Sequence, residues 1–287
     1  HSITMTKIPN RFLVFHNPQV TRSQQIADEI NGRLQDRLGL ISTTMLISEL
    51  DHDPNYNADM LLAVGGDGTM LRVGRVAAQM GCPVLGINLG EGGFLPQIPE
   101  NDWRYAIDRI LKGDFDLEPR MLVHGELIRD GKQLMRQHAL NEIVVTRGAL
   151  ARPIRLETQV DNAVLANYVA DGVIVSTPTG STAYSLAAGG PILPPNLRNL
   201  VVTPISPHLS MGSSVVLSEG CTVTIVIRTN YDAILSLDGQ LETVIMDGDC
   251  VRVQASSRNC NFVRLQDPNY FYSDLSERMS IKGREHK

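Results

Sequence analysis

Residues 61–71 read Leu61-Leu62-Ala63-Val64-Gly65-Gly66-Asp67-Gly68-Thr69-Met70-Leu71, and their order decides the fold. Met60 to Val64 is an unbroken apolar run, as in a strand buried on both faces. Two glycines then make a turn, and helical spacing runs from Thr69 to Met80, where Gly81 and Pro83 stop it. A strand that passes through glycines straight into a helix aims the first backbone N–H groups of that helix at the turn. Those donors, and the helix dipole, favour an anion such as phosphate. Gly65, Gly66 and Gly68 keep β-carbons out of the way of its oxygens. The turn is followed by no Gly-Lys-Ser/Thr and is not spaced G-x-G-x-x-G, so neither common phosphate fingerprint applies. Asp67 is the residue such a turn does not need, because a carboxylate repels phosphate unless it has a task. It either orients Mg²⁺ or takes a proton from a hydroxyl nucleophile. The alternative is that Asp67 or Thr69 simply caps the helix.

The same alternation extends to both sides. Arg11–His16 reads as a strand. Thr21 or Ser23 can open a helix whose stripe is Ile26, Ile30, Leu34 and Leu38, with Gly39 as its end. Thr44–Ile47 and Val84–Asn88 read as strands, and Trp103, Ile107, Ile110 and Leu111 form a further helical stripe. Strands alternating with helices imply a doubly wound parallel sheet, an N-terminal α/β domain over residues 1–119. After Pro119 the period changes to two. Asp130-Gly131, Asp161-Asn162, Tyr231-Asp232 and Asp247-Gly248 separate strand-like runs, and the two Asp-Gly pairs read as hairpin turns. Thr222–Thr229 is rich in β-branched residues. Residues 120–265 are therefore expected to form a mostly-β, sandwich-like domain. Residues 266–287 form a tail, helical over Asp274–Ile281, that is expected to pack back on the N-terminal domain.

The 287 residues are 43% hydrophobic and 20% charged, enough for a substantial core. The 26 basic and 31 acidic side chains give a net charge of −5, which excludes a general nucleic-acid binder or a basic membrane-surface protein. No apolar run approaches the ~20 residues of a membrane-spanning helix. Cys82, Cys221, Cys250 and Cys260 form no C-x-x-C pair, so a reduced, cytoplasmic protein is expected. The chain begins at His1; His1–Thr4 read as a cloning remnant before a native start at Met5. His16, His52, His124, His138 and His208 lack the spacing of metal ligands and read as surface or core histidines.

Two further segments carry chemistry. From Asp171 a strand, Val173–Ser176, ends in Thr177-Pro178-Thr179-Gly180-Ser181-Thr182-Ala183-Tyr184-Ser185, with a helix expected to begin near Ser181. Many short hydroxyls with little bulk suit recognition of a nucleoside or sugar, and Tyr184 adds a stacking face. The alternative is an ordinary Ser/Thr/Pro/Gly turn with a helix cap. Asn141-Glu142, just ahead of Ile143-Val144-Val145, places an amide and a carboxylate at a strand mouth. There they either hold vicinal ribose hydroxyls or form a solvated strand end.

Taken together, GGDGT at 65–69, Asn141-Glu142 and the run from Asp171 through Thr177-Pro178-Thr179-Gly180 to Ile192 have the order and spacing of the NAD kinase family. Gly86-Ile87-Asn88 with Gly93-Phe94-Leu95, Pro207-His208-Leu209-Ser210 and Asp238-Gly239-Gln240 are also similar to that family, and the resemblance covers Leu61 to Gln254. The chain departs from the usual pattern at Pro96-Gln97 and Met211-Gly212, which bear on lid geometry, subunit contacts and donor preference. The resemblance implies a kinase that transfers a phosphoryl group from ATP, or polyphosphate, to the 2′-hydroxyl of the adenosine ribose of NAD, with a divalent cation such as Mg²⁺. It implies a homodimer or homotetramer. Asp67 would be the general base, and Gly65, Gly66, Gly68 and Thr69 would cradle donor phosphates. Asn141 would meet the adenosine half, Glu142 and Asp171 the nicotinamide ribose, and Thr177, Thr182, Ala183, Tyr184 and Ser185 would line the pocket.

Two other readings share features. A lipid kinase of the diacylglycerol or sphingosine type resembles the chain in its GGDGT turn but has no need of the Thr-Pro-Thr-Gly loop. A non-catalytic dinucleotide-binding regulator would gain nothing from the Asp67 carboxylate.

Overall fold

The computed structural model describes residues 3–4, 8–37, 39–51, 56–90, 94–95, 98–149, 152–208, 211–267 and 270–275. The chain divides into two compact units, one from His1–Pro119 and Asn261–Lys287, the other from Arg120–Cys260.

In the first unit four parallel strands lie in the order Ile41–Leu46, Arg11–His16, Met60–Gly65, Val84–Asn88. All of Met60–Gly65 is buried, as its unbroken apolar run requires. Phe12, Val14, Leu62 and Leu85 pack with Ile26, Ile30 and Leu34 of the Ser23–Gln35 helix and with Trp103, Ile107 and Ile110 of the Trp103–Leu111 helix. The chain leaves Arg11–His16 for a neighbour on one side and returns to Met60–Gly65 on the other. Strand order therefore reverses between these two, and ligands of such sheets bind at the carboxyl ends where it reverses. The Gly65-Gly66-Asp67 turn leaves the sheet at that point.

Local boundaries differ from expectation where tertiary pairing intervenes. The first helix ends at Gln35, not Gly39, and opens after Arg22 without a side-chain cap; the Ser23 hydroxyl donates instead to the Asn17 carbonyl. Gly39, with φ +85°, serves the turn into Ile41. The following strand is Ile41–Leu46 rather than Thr44–Ile47, because it pairs residue for residue with Arg11–His16. Near the C-terminus residues 270–275 are helical, and the remainder of the expected Asp274–Ile281 helix lies outside the described residues, as does His52. Glu118 accepts hydrogen bonds from both Arg264 and the Tyr270 hydroxyl.

The second unit holds two sheets. One is antiparallel, in the order Val215–Ser218, Asn199–Ile205, Gly172–Ser176, Glu142–Arg147, Ala233–Leu237, Leu241–Ile245. The other includes Ala163–Ala170, Ile154–Val160 and Val223–Arg228, beside the unit's stretch of Cys250–Arg264. Their inner faces, Ile143, Val145, Val173, Val175 and Leu235 against Leu156, Tyr168, Ile225 and Val251, make one core. This is a β-sandwich built by strict alternation of inward apolar residues.

Asp130-Gly131 and Asp161-Asn162 turn hairpins with positive φ at both positions. Asp247-Gly248 does not turn a hairpin. It carries the chain from Leu241–Ile245 in one sheet to Cys250–Arg264 in the other, with the Gly248 N–H bonded to the Ile227 carbonyl. Tyr231-Asp232 also precedes a change of sheet. A local Asp-Gly signal does not record which sheet the next strand joins. The hairpin of that region is turned by Asp238-Gly239-Gln240, with φ +52° and +63° at the first two.

Candidate active site

The glycine turn of the first unit is shaped by what its glycines leave empty. A β-carbon on Gly65 would overlap the Thr69 side chain, which is buried back against the turn. The helix is Asp67–Met80, its cap position is Gly66, and no side chain caps it. Asp67 therefore is not the cap. Its two carboxylate oxygens accept the N–H groups of Phe94 at 3.0 Å and Leu95 at 2.9 Å. Each oxygen keeps a further lone pair for a hydroxyl, while the helix end beside it supplies donors for an anion. Gly68 is exposed and Gly66 half-buried. Gly93, Pro96 and Gln97 lie outside the described residues.

In the second unit Asn141 and Glu142 stand where the chain enters the Glu142–Arg147 strand. The Thr177 N–H donates to the Asn141 carbonyl at 2.8 Å and its hydroxyl to the Leu140 carbonyl at 2.6 Å, tying the Thr-Pro-Thr-Gly loop to this entry. The Gly180 N–H donates in turn to the Thr177 hydroxyl. Both site residues are buried, Asn141 7% and Glu142 6% exposed. The Asn141 side-chain oxygen and Glu142 Oε2 nevertheless have no hydrogen-bond partner. Burial, and then the negative charge of Asp238, push the Glu142 carboxyl up from 4.5 to about 8. A buried polar atom left unpaired costs about 1–3 kcal/mol, so two side by side mark a place that a polar ligand would complete.

The expected helix from Ser181 is a turn of 3₁₀ helix, Gly180–Thr182, followed by a four-residue helix, Tyr184–Ala187. The Thr182 hydroxyl bonds the Thr179 carbonyl, and Ala183 is half-buried. Tyr184 is 44% exposed, its ring open to stacking. Ser185 is fully buried with its hydroxyl against that of Thr203 at 3.1 Å. Asp171 is not gathered with Glu142. The register pairs Ser176 with Glu142 and Gly172 with Thr146, so Asp171 lies at the opposite end of these strands, roughly 17 Å along at ~3.3 Å per residue. There it pairs with Arg147 at 2.8 Å.

Sequence reading missed three contributors. Buried Arg120 donates to the Thr179 hydroxyl at 3.1 Å, and nothing local marks it. Gly180 is required by its closeness to the Asn141 backbone. Asp238 contacts the Leu140–Glu142 segment from almost a hundred residues away. Among the described residues no three His, Cys, Asp or Glu side chains converge as a metal site. Leu209 and Ser210 lie outside them.

An α/β unit with an acidic glycine turn at its switch point, joined to a β-sandwich with an unsatisfied amide and carboxylate, defines a class of two-domain nucleotide-binding proteins. The ATP-NAD kinase N-terminal domain model matches residues 1–115 and the ATP-NAD kinase C-terminal domain model residues 140–265. An NAD kinase of Chloroflexus aurantiacus is 38% identical over 94% of this chain and 98% of its own. One of Moorella thermoacetica is 44% identical over 79% of this chain and 72% of its own. The chain belongs to the NAD kinase family. Its fold is shared with yeast NADH kinase solved with NADH, at a TM-score of 0.83, 22% identity and coverage of 98% of this chain and 93% of that one. An NAD kinase from Archaeoglobus fulgidus solved with ATP gives 0.72, 23% identity and coverage of 94% and 99%. The lipid-kinase reading falls away.

Proposed function

We propose that this chain transfers the γ-phosphoryl group of ATP to the 2′-hydroxyl of the adenosine ribose of NAD, forming NADP and ADP. The observation that carries the reading is the pair of buried, partnerless oxygens on Asn141 and Glu142 beside the Thr-Pro-Thr-Gly loop, in a member of this family. Ribose hydroxyls and an adenosine amine are the donors those acceptors lack. Asn141 meets the adenosine half and Glu142 the nicotinamide ribose. Thr177 and Ser185, whose hydroxyls are engaged within the protein, give the pocket its wall. Thr182, Ala183 and the exposed Tyr184 ring complete it.

Asp67 acts as general base. The 2′-oxygen attacks the γ-phosphorus, the bond to the β-bridging oxygen breaks with ADP as leaving group, and the hydroxyl proton passes to the Asp67 carboxylate. Its hydrogen bonds from Phe94 and Leu95 fix the orientation of that carboxylate. Gly65, Gly66, Gly68 and Thr69, at the helix end, receive the donor phosphates. A divalent cation such as Mg²⁺ is assigned to the ATP phosphates, whose charge it would neutralise.

A homodimer or homotetramer is assigned from family membership. Because one chain holds Asp171 and Glu142 at opposite ends of these strands, Asp171 is assigned to the nicotinamide ribose only as the residue of a second copy. Four cysteines that form no disulfide suit the cytoplasm. The test is to incubate the purified protein with NAD, ATP and Mg²⁺ and detect NADP with an NADP-specific dehydrogenase. NADP formation is expected. Its absence with NAD and NADH, and with both ATP and polyphosphate, would overturn the proposal.

A further inference from the structure

The Asp238-Gly239-Gln240 turn is a family-like motif to which the reaction above gives no task. Its carboxylate is buried in the sandwich unit, 5% exposed, in a residue held at φ +52°. Three consecutive backbone N–H groups point at it. Oδ2 accepts from Leu140 at 3.0 Å, and Oδ1 from Asn141 at 2.7 Å and Glu142 at 3.2 Å. The Asp238 N–H returns a bond to the Glu142 carbonyl at 3.0 Å. One side chain thus takes up every backbone donor of the segment that carries the two partnerless oxygens.

We propose that Asp238 is a positioning residue for the dinucleotide, holding Asn141 and Glu142 in binding geometry before the ligand arrives. It rests on the assignment of those two residues to NAD. A turn with three unsatisfied N–H groups would be free to rotate its peptides, and the side chains on it would swing with them. A carboxylate is the one small side chain that accepts on both oxygens; an amide would set its own N–H₂ against one of the three donors. Ligand-ready geometry lowers the ordering that binding requires, so its loss falls on affinity rather than on the phosphoryl step. The same negative charge adds to burial in keeping the Glu142 carboxyl protonated to higher pH.

The test compares wild type with Asp238→Asn in the NADP-forming assay and by calorimetry with NAD. The expected result is a KM for NAD raised about tenfold, as for loss of one hydrogen bond to a charged acceptor, with the KM for ATP unchanged and kcat within about threefold. An unchanged KM for NAD, or a joint rise in both KM values with collapse of kcat, overturns the proposal. If wild type binds NAD but makes no phosphorylated product from NAD or NADH with either ATP or polyphosphate, the kinase reading fails, and the calorimetric Kd values of the two proteins carry the test instead. If the variant does not fold, or wild type does not bind NAD, hydrogen exchange of wild type decides. The amides of residues 140–142 are expected to exchange slowly before NAD is added, and free-peptide rates there overturn the proposal.

Discussion

Gly180 is packed so tightly on Asn141 that a β-carbon at position 180 would overlap the Asn141 carbonyl oxygen. That oxygen already accepts the Thr177 N–H at 2.8 Å. The loop and the strand entry therefore behave as one piece, and the glycine is there for closeness, its φ not being positive.

Gly180→Ala is expected to push the two backbones apart. Overpacking of this kind costs about 1–3 kcal/mol. Because the strain falls on Asn141, NAD affinity is expected to drop about tenfold or more. Calorimetry with NAD and a thermal melt check this; unchanged values in both would show that the loop yields without disturbing Asn141.

Glu142 makes stability and binding depend on pH in opposite senses. Its folded carboxyl is raised from 4.5 to about 8, so over that window the folded state holds a proton that the unfolded chain has released. Stability contributed by this group is present below pH 4.5 and lost as pH rises towards 8. Glu142→Gln removes the dependence, so wild type is expected to lose stability relative to the variant between pH 5 and pH 8, read by denaturant midpoints. Ribose hydroxyls donate best to the ionised carboxylate, so NAD affinity is expected to rise over the same window in wild type and stay flat in the variant.

How much of this was legible in the sequence depends on the range of the interaction. The Met60–Gly65 strand, the glycine turn and the parallel sheet follow from short-range patterning, which burial on both faces enforces. The short first helix and the sheet change at Asp247-Gly248 were not legible, because strand partners far along the chain decide them. At the site, residue types pointed to Asp67, Asn141 and Glu142, while the clamp of Asp238 depends on a register that brings position 238 to 140–142. The role of Asp67 as acceptor of the Phe94 and Leu95 N–H groups was hidden for the same reason.

Tyr184→Ala is expected to weaken NAD binding by about 1–3 kcal/mol, the range for covering a large side chain's apolar surface. The ring is 44% exposed and contributes little to the core, so the melting temperature is expected to stay near wild type. An unchanged Kd would remove Tyr184 from the pocket.

Asp249 is almost fully buried and accepts two bonds from Arg129 at 2.8 Å, with a third from the Met246 N–H. The Arg129 hydrogen bonds hold its carboxyl below the ordinary range. This stability is present above the unfolded pKa and lost as pH falls through the lowered one. Arg129→Met is expected to lower the melting temperature at pH 7, with the gap to wild type closing in acid. A gap that persists below pH 3 would assign the loss to packing.

The most direct test of the account compares NADP formation by wild type and Asp67→Asn at saturating NAD and ATP, with NAD binding measured on both. A general base accounts for about 10²- to 10⁴-fold in rate, so turnover is expected to fall by that factor while the Kd for NAD stays close to wild type. Full turnover by the variant, or equal losses in turnover and NAD binding, would contradict Asp67 as the base and leave its carboxylate only the task of holding Phe94 and Leu95.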